Sequence, residues 1–286
     1  MHVETEPVPG GLGGIRGGGN DFGGHAHYGT GVDSNDALIR YQDAHKVALI
    51  TLDAPQRRNA LSTSMIAQIR EALARARSDE RKRVVVIDHA GPWFCAGADL
   101  AESARATRLE ELPAAHLAEL LADICESPKP VVAVARGGAR GGGVGLLAAA
   151  DLVVSDYRAE FAFSEVRLGV VPAVIGPVVA RKLTRGLMRR LFMTGESFSA
   201  VDGVGWGLVT KATAPDSVER HQADTVEKLL AGGPKALAGV KALTATPGLR
   251  DELRSAAAVT AEYFFSEEGR EGVRSFIEKS SPPWVD

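Results

Sequence analysis

The sequence predicts an α/β core followed by a helical C-terminal part. Two observations predict it: strand-like and helix-like stretches alternate through the first two-thirds of the chain, and helical patterning dominates the last third. A third sets the scale: 286 residues with 45% apolar content can bury a sizeable core, in one large domain or two ordinary ones.

Residues 1–34 stand apart. Eleven glycines fall between Gly10 and Gly31 and apolar periodicity is absent, so a flexible extension is expected, with His25 and His27 read as solvated side chains rather than a metal pair. From Ala37, "ALIRYQDAHKVALITLD" reads as a two-stranded hairpin. In "STSMIAQIREALARARSD", Ile66, Ile69 and Leu73 share a helical face, and Ser62 or Thr63 is the expected cap. "RVVVIDH" (83–89) reads as a buried strand, "GPWFCAGADL" (91–100) as a turn-rich loop, and "LAELLADICES" (117–127) as a helix stopped by Pro128. "KPVVAVA" (129–135) is a second buried strand. After a glycine-rich stretch come a short helix to Ala150, the strand "DLVVSD" and the extended "AEFAF" (159–163). Beyond Pro172 and Pro177 the pattern is helical, except for "LVTKAT" near 208–213. The expected organisation is an extension at 1–34, an α/β core at 35–210 and a helical region at 211–286.

Composition excludes several classes. The net charge is −3 and no basic stripe with interleaved aromatics occurs, which argues against a nucleic-acid partner. No apolar run reaches ~18 residues, so no membrane span is expected. No basic segment followed by an apolar one opens the chain, so no secretory signal is expected. Cys95 and Cys125, the two cysteines, form neither a zinc-ligand spacing nor a disulfide framework, and a cytoplasmic location is the expectation.

The chemistry gathers around "ARGGARGGGVGLLAAADLVV" (135–154), which places six glycines between Ala135 and Gly145, where a helix is about to begin. Glycine disfavours a helix by ~1 kcal/mol relative to alanine. A dinucleotide fingerprint fits poorly: Gly143-x-Gly145-x-x-Ala148 matches its loose form, but seven residues separate the strand from Gly143. A P-loop fails because Gly143 stands where lysine is required. The remaining functional reading is close backbone approach: the first N–H groups of a helix, free and at its positive end, suit an oxygen on which negative charge develops. The alternative is a tight turn with close helix–strand packing and no ligand. "FCAGADL" (94–100) favours the functional reading, since it too follows a buried strand and runs small residues into a helix start. Further on, "FSEVRLGVVPAVIGP" (163–177) carries Glu165. One carboxylate beside two N–H donors makes a site for proton transfer next to a carbonyl.

Five stretches in order, "RRNALSTSM", "FCAGADL", "KPVVAVARGGARGGGVGLLAAADLVV", "FAFSEVRLGVVPAVIG" and "EEGREGVRSFIEK", make the chain resemble the enoyl-CoA hydratase/isomerase (crotonase) superfamily over nearly all of residues 36–280. The resemblance implies a crotonase-like spiral of strand-strand-helix turns with a helical C-terminal region, and a homotrimer or hexamer. It implies an acyl-CoA thioester as ligand, with CoA part of the substrate, no metal and no redox cofactor. By motif matching, the backbone N–H groups of Ala98 and Gly142 would form the oxyanion hole and Glu165 would be the catalytic carboxylate. Ala96 and Leu100 would lie on the loop that borders the adenine end of CoA, with Arg58 and Ala60 on the same pocket and Gly97, Asp99 and Gly141 also among the substrate- and CoA-binding residues. Phe264 and Lys279 fall where C-terminal helices meet the CoA nucleotide.

The departure is Gly145, which stands where typical hydratases of the superfamily carry a second glutamate. Hydration divides water activation and α-carbon protonation between two carboxylates, whereas moving a double bond from the 3- to the 2-position needs one base. The resemblance points first to a hydratase of a short or branched 2-enoyl-CoA. An enoyl-CoA isomerase is the alternative, and an acyl-CoA binder with little catalysis is the alternative outside catalysis. His89, His116 and Asp151 are read as structural, and Cys95, without a base partner, as a packing residue. Arg140 stays open between a substrate carboxylate, a CoA phosphate and solvent.

Overall fold

The computed structural model describes residues 37–285; the extension expected at 1–34, with His25 and His27, lies outside them. Strands β1 (Ile39–Ala44) and β2 (Val47–Leu52) form the expected antiparallel hairpin, with Ala44 opposite Val47. Helix α1 (Thr63–Ser78) is capped by Ser62, whose side chain accepts from the Met65 N–H at 3.1 Å, and it buries Ile66, Ile69 and Leu73 as the spacing predicts. The chain then makes strand-strand-helix turns. The first is β3 (Val84–His89), β4 (Trp93–Cys95), α2 (Leu100–Ser103) and α3 (Pro113–Cys125). The second is β5 (Val131–Ala135), β6 (Gly138–Arg140) and α4 (Gly142–Ala149). The third is β7 (Leu152–Asp156), β8 (Glu160–Ala162) and α5 (Gly176–Val179). There follow α6 (Arg185–Thr194), β9 (Ser197–Ser199), α7 (Ala200–Trp206), β10 (Lys211–Thr213), α8 (Val218–Ala231), α9 (Pro234–Leu243), α10 (Leu249–Phe265) and α11 (Glu267–Glu278).

Two sheets result. The larger has the order β1-β2-β3-β5-β7-β10, parallel from β2 onward. Its central strands are buried on both faces, as parallel sheets require. Val85, Ile87, Val131 and Ala133 face the main core, while Val84, Val86, Val132 and Val134 face a second cluster closed by Val218 of α8. The smaller sheet, β4-β6-β8-β9, is made of three-residue strands.

Three sequence expectations change here. Residues 93–95, read as loop, are a strand, as are 138–140 in the glycine-rich stretch, to which the sequence pattern assigns no element, and 197–199 in the stretch read as helical. Three residues carry no periodicity, and only pairing across the sheet defines them. The large sheet also takes its last strand from 211–213, past the boundary placed at residue 210, because β10 pairs in parallel with β7.

Candidate active site

The second sheet positions the site. Gly141 follows β6 directly, its N–H donating to the Ala162 carbonyl at 3.0 Å, and α4 begins at the next residue. Every residue of α4 is buried. Glycine is required at 141 for two reasons: its φ of 46° is in the left-handed region, and a Cβ there would stand 2.5 Å from Glu165 Oε1. The glycine therefore makes room for the carboxylate. Gly143 serves packing rather than a ligand, since a Cβ there would meet the Cys95 carbonyl oxygen at 2.6 Å.

The second loop arrives from β4. Leu61 N–H donates to the Gly97 carbonyl at 2.8 Å and Asp99 N–H to the Leu61 carbonyl at 3.0 Å, which leaves the Ala98 N–H between them unengaged by backbone. Gly142 is the first residue of α4, so its N–H has no acceptor within the helix. The two loops touch: a Cβ on Gly142 would lie 4.0 Å from the Ala98 nitrogen, and one on Gly97 would lie 3.8 Å from the Gly142 nitrogen. Two free donors thus stand side by side.

Glu165 opens a single 3-10 turn after β8. The residue is half-buried, but its Oε2 is closed off from solvent and has no hydrogen-bond partner among the described residues. Burial lifts its pKa from the ordinary 4.5 to about 7, against a smaller opposing pull from its own backbone N–H. A carboxyl with that pKa is present in both protonation states at neutral pH and can take and return a proton.

A cleft of about 430 Å³ holds these groups. Arg58, Ala96, Gly97, Ala98 and Leu100 line it, as do Gly141, Gly142, Glu165 and Phe264. Three of the expected residues stand outside the lining. The Asp99 side chain is engaged elsewhere: it caps α2 by accepting from Glu102 N–H at 3.1 Å and pairs with Arg57 at 2.6 Å. Lys279 terminates α11 in the left-handed conformation, and Ala60 turns back on the Arg57 carbonyl. A larger groove of about 850 Å³, between α6 and α10, has Glu252 as its one charged lining residue and lacks the paired donors.

The other candidates are structural. The buried thiol of Cys95 is pushed up to about 12 and has no base beside it. His89 Nε2 accepts from the Arg136 N–H at 2.9 Å, and its ring packs edge-on against Phe94. Asp151 accepts from Val131 N–H and Lys241 Nζ, and His116 meets the Glu110 carbonyl. Two residues escaped the sequence reading. Buried Asn59 accepts from Ala54 N–H and donates to the carbonyls of Ala90 and Trp93, which ties the Arg58 turn to the loop that carries Ala98. Its place in "RRNALS" was the available signal. Ile175 fills the space beside Gly145: a Cβ on that glycine would meet Ile175 Cγ2 at 2.5 Å. No pattern in the sequence pairs those two positions.

The enoyl-CoA hydratase/isomerase family model matches residues 42–286. The chain belongs to that family. Among solved structures, an enoyl-CoA hydratase from Mycobacterium avium is 38% identical, with 87% of this chain and 99% of that one covered and a TM-score of 0.78. An enoyl-CoA hydratase from Mycobacterium smegmatis is 32% identical, covering 88% and 100%, with a TM-score of 0.70. The carnitinyl-CoA dehydratase of Proteus mirabilis is 28% identical over 244 residues, 82% of this chain and 93% of that protein. As in other members of the enoyl-CoA hydratase/isomerase family, this chain has the crotonase fold with a C-terminal helical region.

Proposed function

We propose that the chain is a hydro-lyase that adds water to a 2-enoyl-CoA thioester, with CoA bound only as part of the substrate. One observation carries the reading: Glu165, whose Oε2 is closed off from solvent and has no partner among the described residues, shares a cleft with the N–H groups of Ala98 and Gly142, which no backbone acceptor engages. The thioester oxygen accepts from the two N–H groups, which stabilise the charge that develops there. Ionised Glu165 removes a proton from water as the water oxygen bonds to C3, and the C2–C3 electron pair moves towards the thioester as an enolate. The same carboxyl, now protonated, returns that proton to C2. One water is added, and Glu165 ends as it began. The names of the relatives above, two hydratases and a dehydratase, support the same direction.

A second reading has an observation of its own. Ile175 closes the space beside Gly145, and Glu165 is the sole carboxylate among the described residues lining the cleft. One base can move a double bond by removing a proton from C2 of a 3-enoyl-CoA and returning it to C4. The test offers both 2-enoyl- and 3-enoyl-CoA in D₂O and follows the products by mass spectrometry. Formation of 3-hydroxyacyl-CoA from the 2-enoyl ester is expected. Conversion of the 3-enoyl ester without hydration would make the isomerase reading the right one, and no turnover of either would overturn both.

A further inference from the structure

The 3-10 turn that begins at Glu165 runs to Leu168, and α11 packs on it. The two meet backbone to backbone. A Cβ on Gly169, the residue that ends the turn, would stand 2.8 Å from the Glu268 carbonyl oxygen, and one on Gly272 would overlap the Leu168 carbonyl. Leu168 and Gly272 both line the cleft beside Glu165. A contact this close passes a displacement of one backbone to the other, so the seating of α11 sets where the turn stands and, with it, the carboxyl.

The seat of α11 is shared with a third group. The same Cβ on Gly272 would come within 2.7 Å of Trp284 Cη2. The Trp284 ring therefore fills the space that a side chain at 272 would take, beside the Leu168 carbonyl. Little else holds the segment that brings it there. Lys279, at a φ of 57°, turns the chain back at the end of α11. Ser280 donates to the Ser275 carbonyl through its N–H at 2.9 Å and its hydroxyl at 3.4 Å, the segment's hydrogen bonds to the rest of the chain among the described residues. Val285 N–H donates to the Pro282 carbonyl at 3.1 Å within the segment, and between 281 and 285 Pro282 alone is not exposed. Ser280 and Pro282 line the cleft with Phe276, and exposed Ser280 and Phe276 form its outer wall. A segment with so few contacts belongs to the low-stability end of a fold, and the Trp284 ring is what fastens it to α11.

We propose that Trp284 is a positioning residue for Glu165: its ring, seated at Gly272 beside the Leu168 carbonyl, holds α11 against the turn that carries the carboxyl. The proposal rests on the role of Glu165 as proton carrier in the reading above and adds the group that keeps it in place. Proton transfer is sensitive to misplacement on the scale of an ångström, whereas binding of the ester is spread over the whole cleft. Loss of the ring is therefore felt in kcat before affinity.

Turnover of crotonyl-CoA, calorimetry with butyryl-CoA (saturated, so not turned over) and amide hydrogen exchange test it, on the unaltered protein, Trp284→Ala and Trp284→Phe. Trp284→Ala should lower kcat about ten- to a hundred-fold and leave butyryl-CoA affinity within about three-fold. Exchange should quicken at 165–170 and 267–279 and stay unchanged in the sheet at 131–135. Trp284→Phe, which keeps a flat ring on the glycine, should recover most of kcat. An unchanged kcat, or unchanged exchange at 165–170, in Trp284→Ala would overturn the proposal and leave the role of Glu165 intact. A loss of butyryl-CoA affinity that matches the loss of kcat would also overturn it, by making the segment a wall of the cleft and no more. So would exchange quickened equally in the sheet, the mark of a general loss of stability. Should Trp284→Ala not fold, Trp284→Leu is judged on the same readouts. An unaltered protein that turns over no ester would remove the hydro-lyase reading, and the exchange result alone would then uphold or overturn the seat of Trp284.

Discussion

At the scale of single residues, Glu165 and Asn59 do different work. Glu165 is expected to carry the proton, so Glu165→Gln should lower kcat by ~10²–10⁴ while acyl-CoA affinity stays within a few-fold. Steady-state kinetics beside calorimetry checks this, and a variant retaining most of its activity would remove Glu165 from the mechanism. Asn59 is a tether. Its three hydrogen bonds hold the turn before α1 to the loop around Trp93, and its φ of 53° is one that asparagine tolerates better than alanine. Asn59→Ala leaves buried partners unpaired and should cost about 3 kcal/mol, read from denaturant unfolding. Acyl-CoA binding should weaken as well, because the Arg58 carbonyl accepts from Ala96 N–H at 2.9 Å in the same tie.

At the scale of elements, α4 shows how closely packing and chemistry are joined. It passes through the core with both of its neighbours in contact, and the Gly145–Ile175 contact leaves no volume for a side chain. Gly145→Ala alone should destabilise by ~1–3 kcal/mol through overpacking. In Ile175→Ala that substitution should be far better tolerated, so a double-mutant cycle in urea should show coupling of ~1 kcal/mol or more. Additive effects would mean that the helix shifts instead. A carboxylate introduced at 145 can enter only when Ile175 is also cut back, and Gly145→Glu/Ile175→Ala is the variant in which faster hydration is expected. Gly145, where the resemblance would place a second glutamate, packs against Ile175.

At the scale of the whole molecule, the buried carboxylate links function to stability. Glu165 holds its proton up to about pH 7 in the folded chain and loses it near 4.5 when unfolded, so between those values the folded state binds more protons and stability falls as pH rises. Above pH 7 the cost is at most ~3 kcal/mol. Glu165→Gln should therefore melt higher than the unaltered protein at pH 8, with the gap closing as pH drops towards 4.5. An unchanged difference across that range in a thermal series would count against the raised pKa. The homotrimer or hexamer that the family resemblance implies leads to a further expectation. Exposed Met193 and Val259 line the apolar groove between α6 and α10, and sedimentation should give a mass three or six times the 30.1 kDa chain. A monomer would refute it.

The sequence by itself determined the long elements and the two loops that meet in the cleft. Val-rich runs and a 3.6-residue period depend on local pattern, and small residues running into a helix start are visible without a fold. A cap at Ser62 or Thr63 and the carboxylate Glu165 could be named from their stretches, whereas Ala98 and Gly142 are named only by what the family resemblance implies. Tertiary structure alone decided the rest. The strands at 93–95, 138–140 and 197–199 exist because backbones from distant turns of the spiral pair there, and three residues are too few to carry a period. Asp99 could be assigned to the cap of α2 and to Arg57 only when both were placed beside it. Ile175 could be seen to fill the space beside Gly145 only in three dimensions, because volume is shared between positions thirty residues apart and no linear pattern records it.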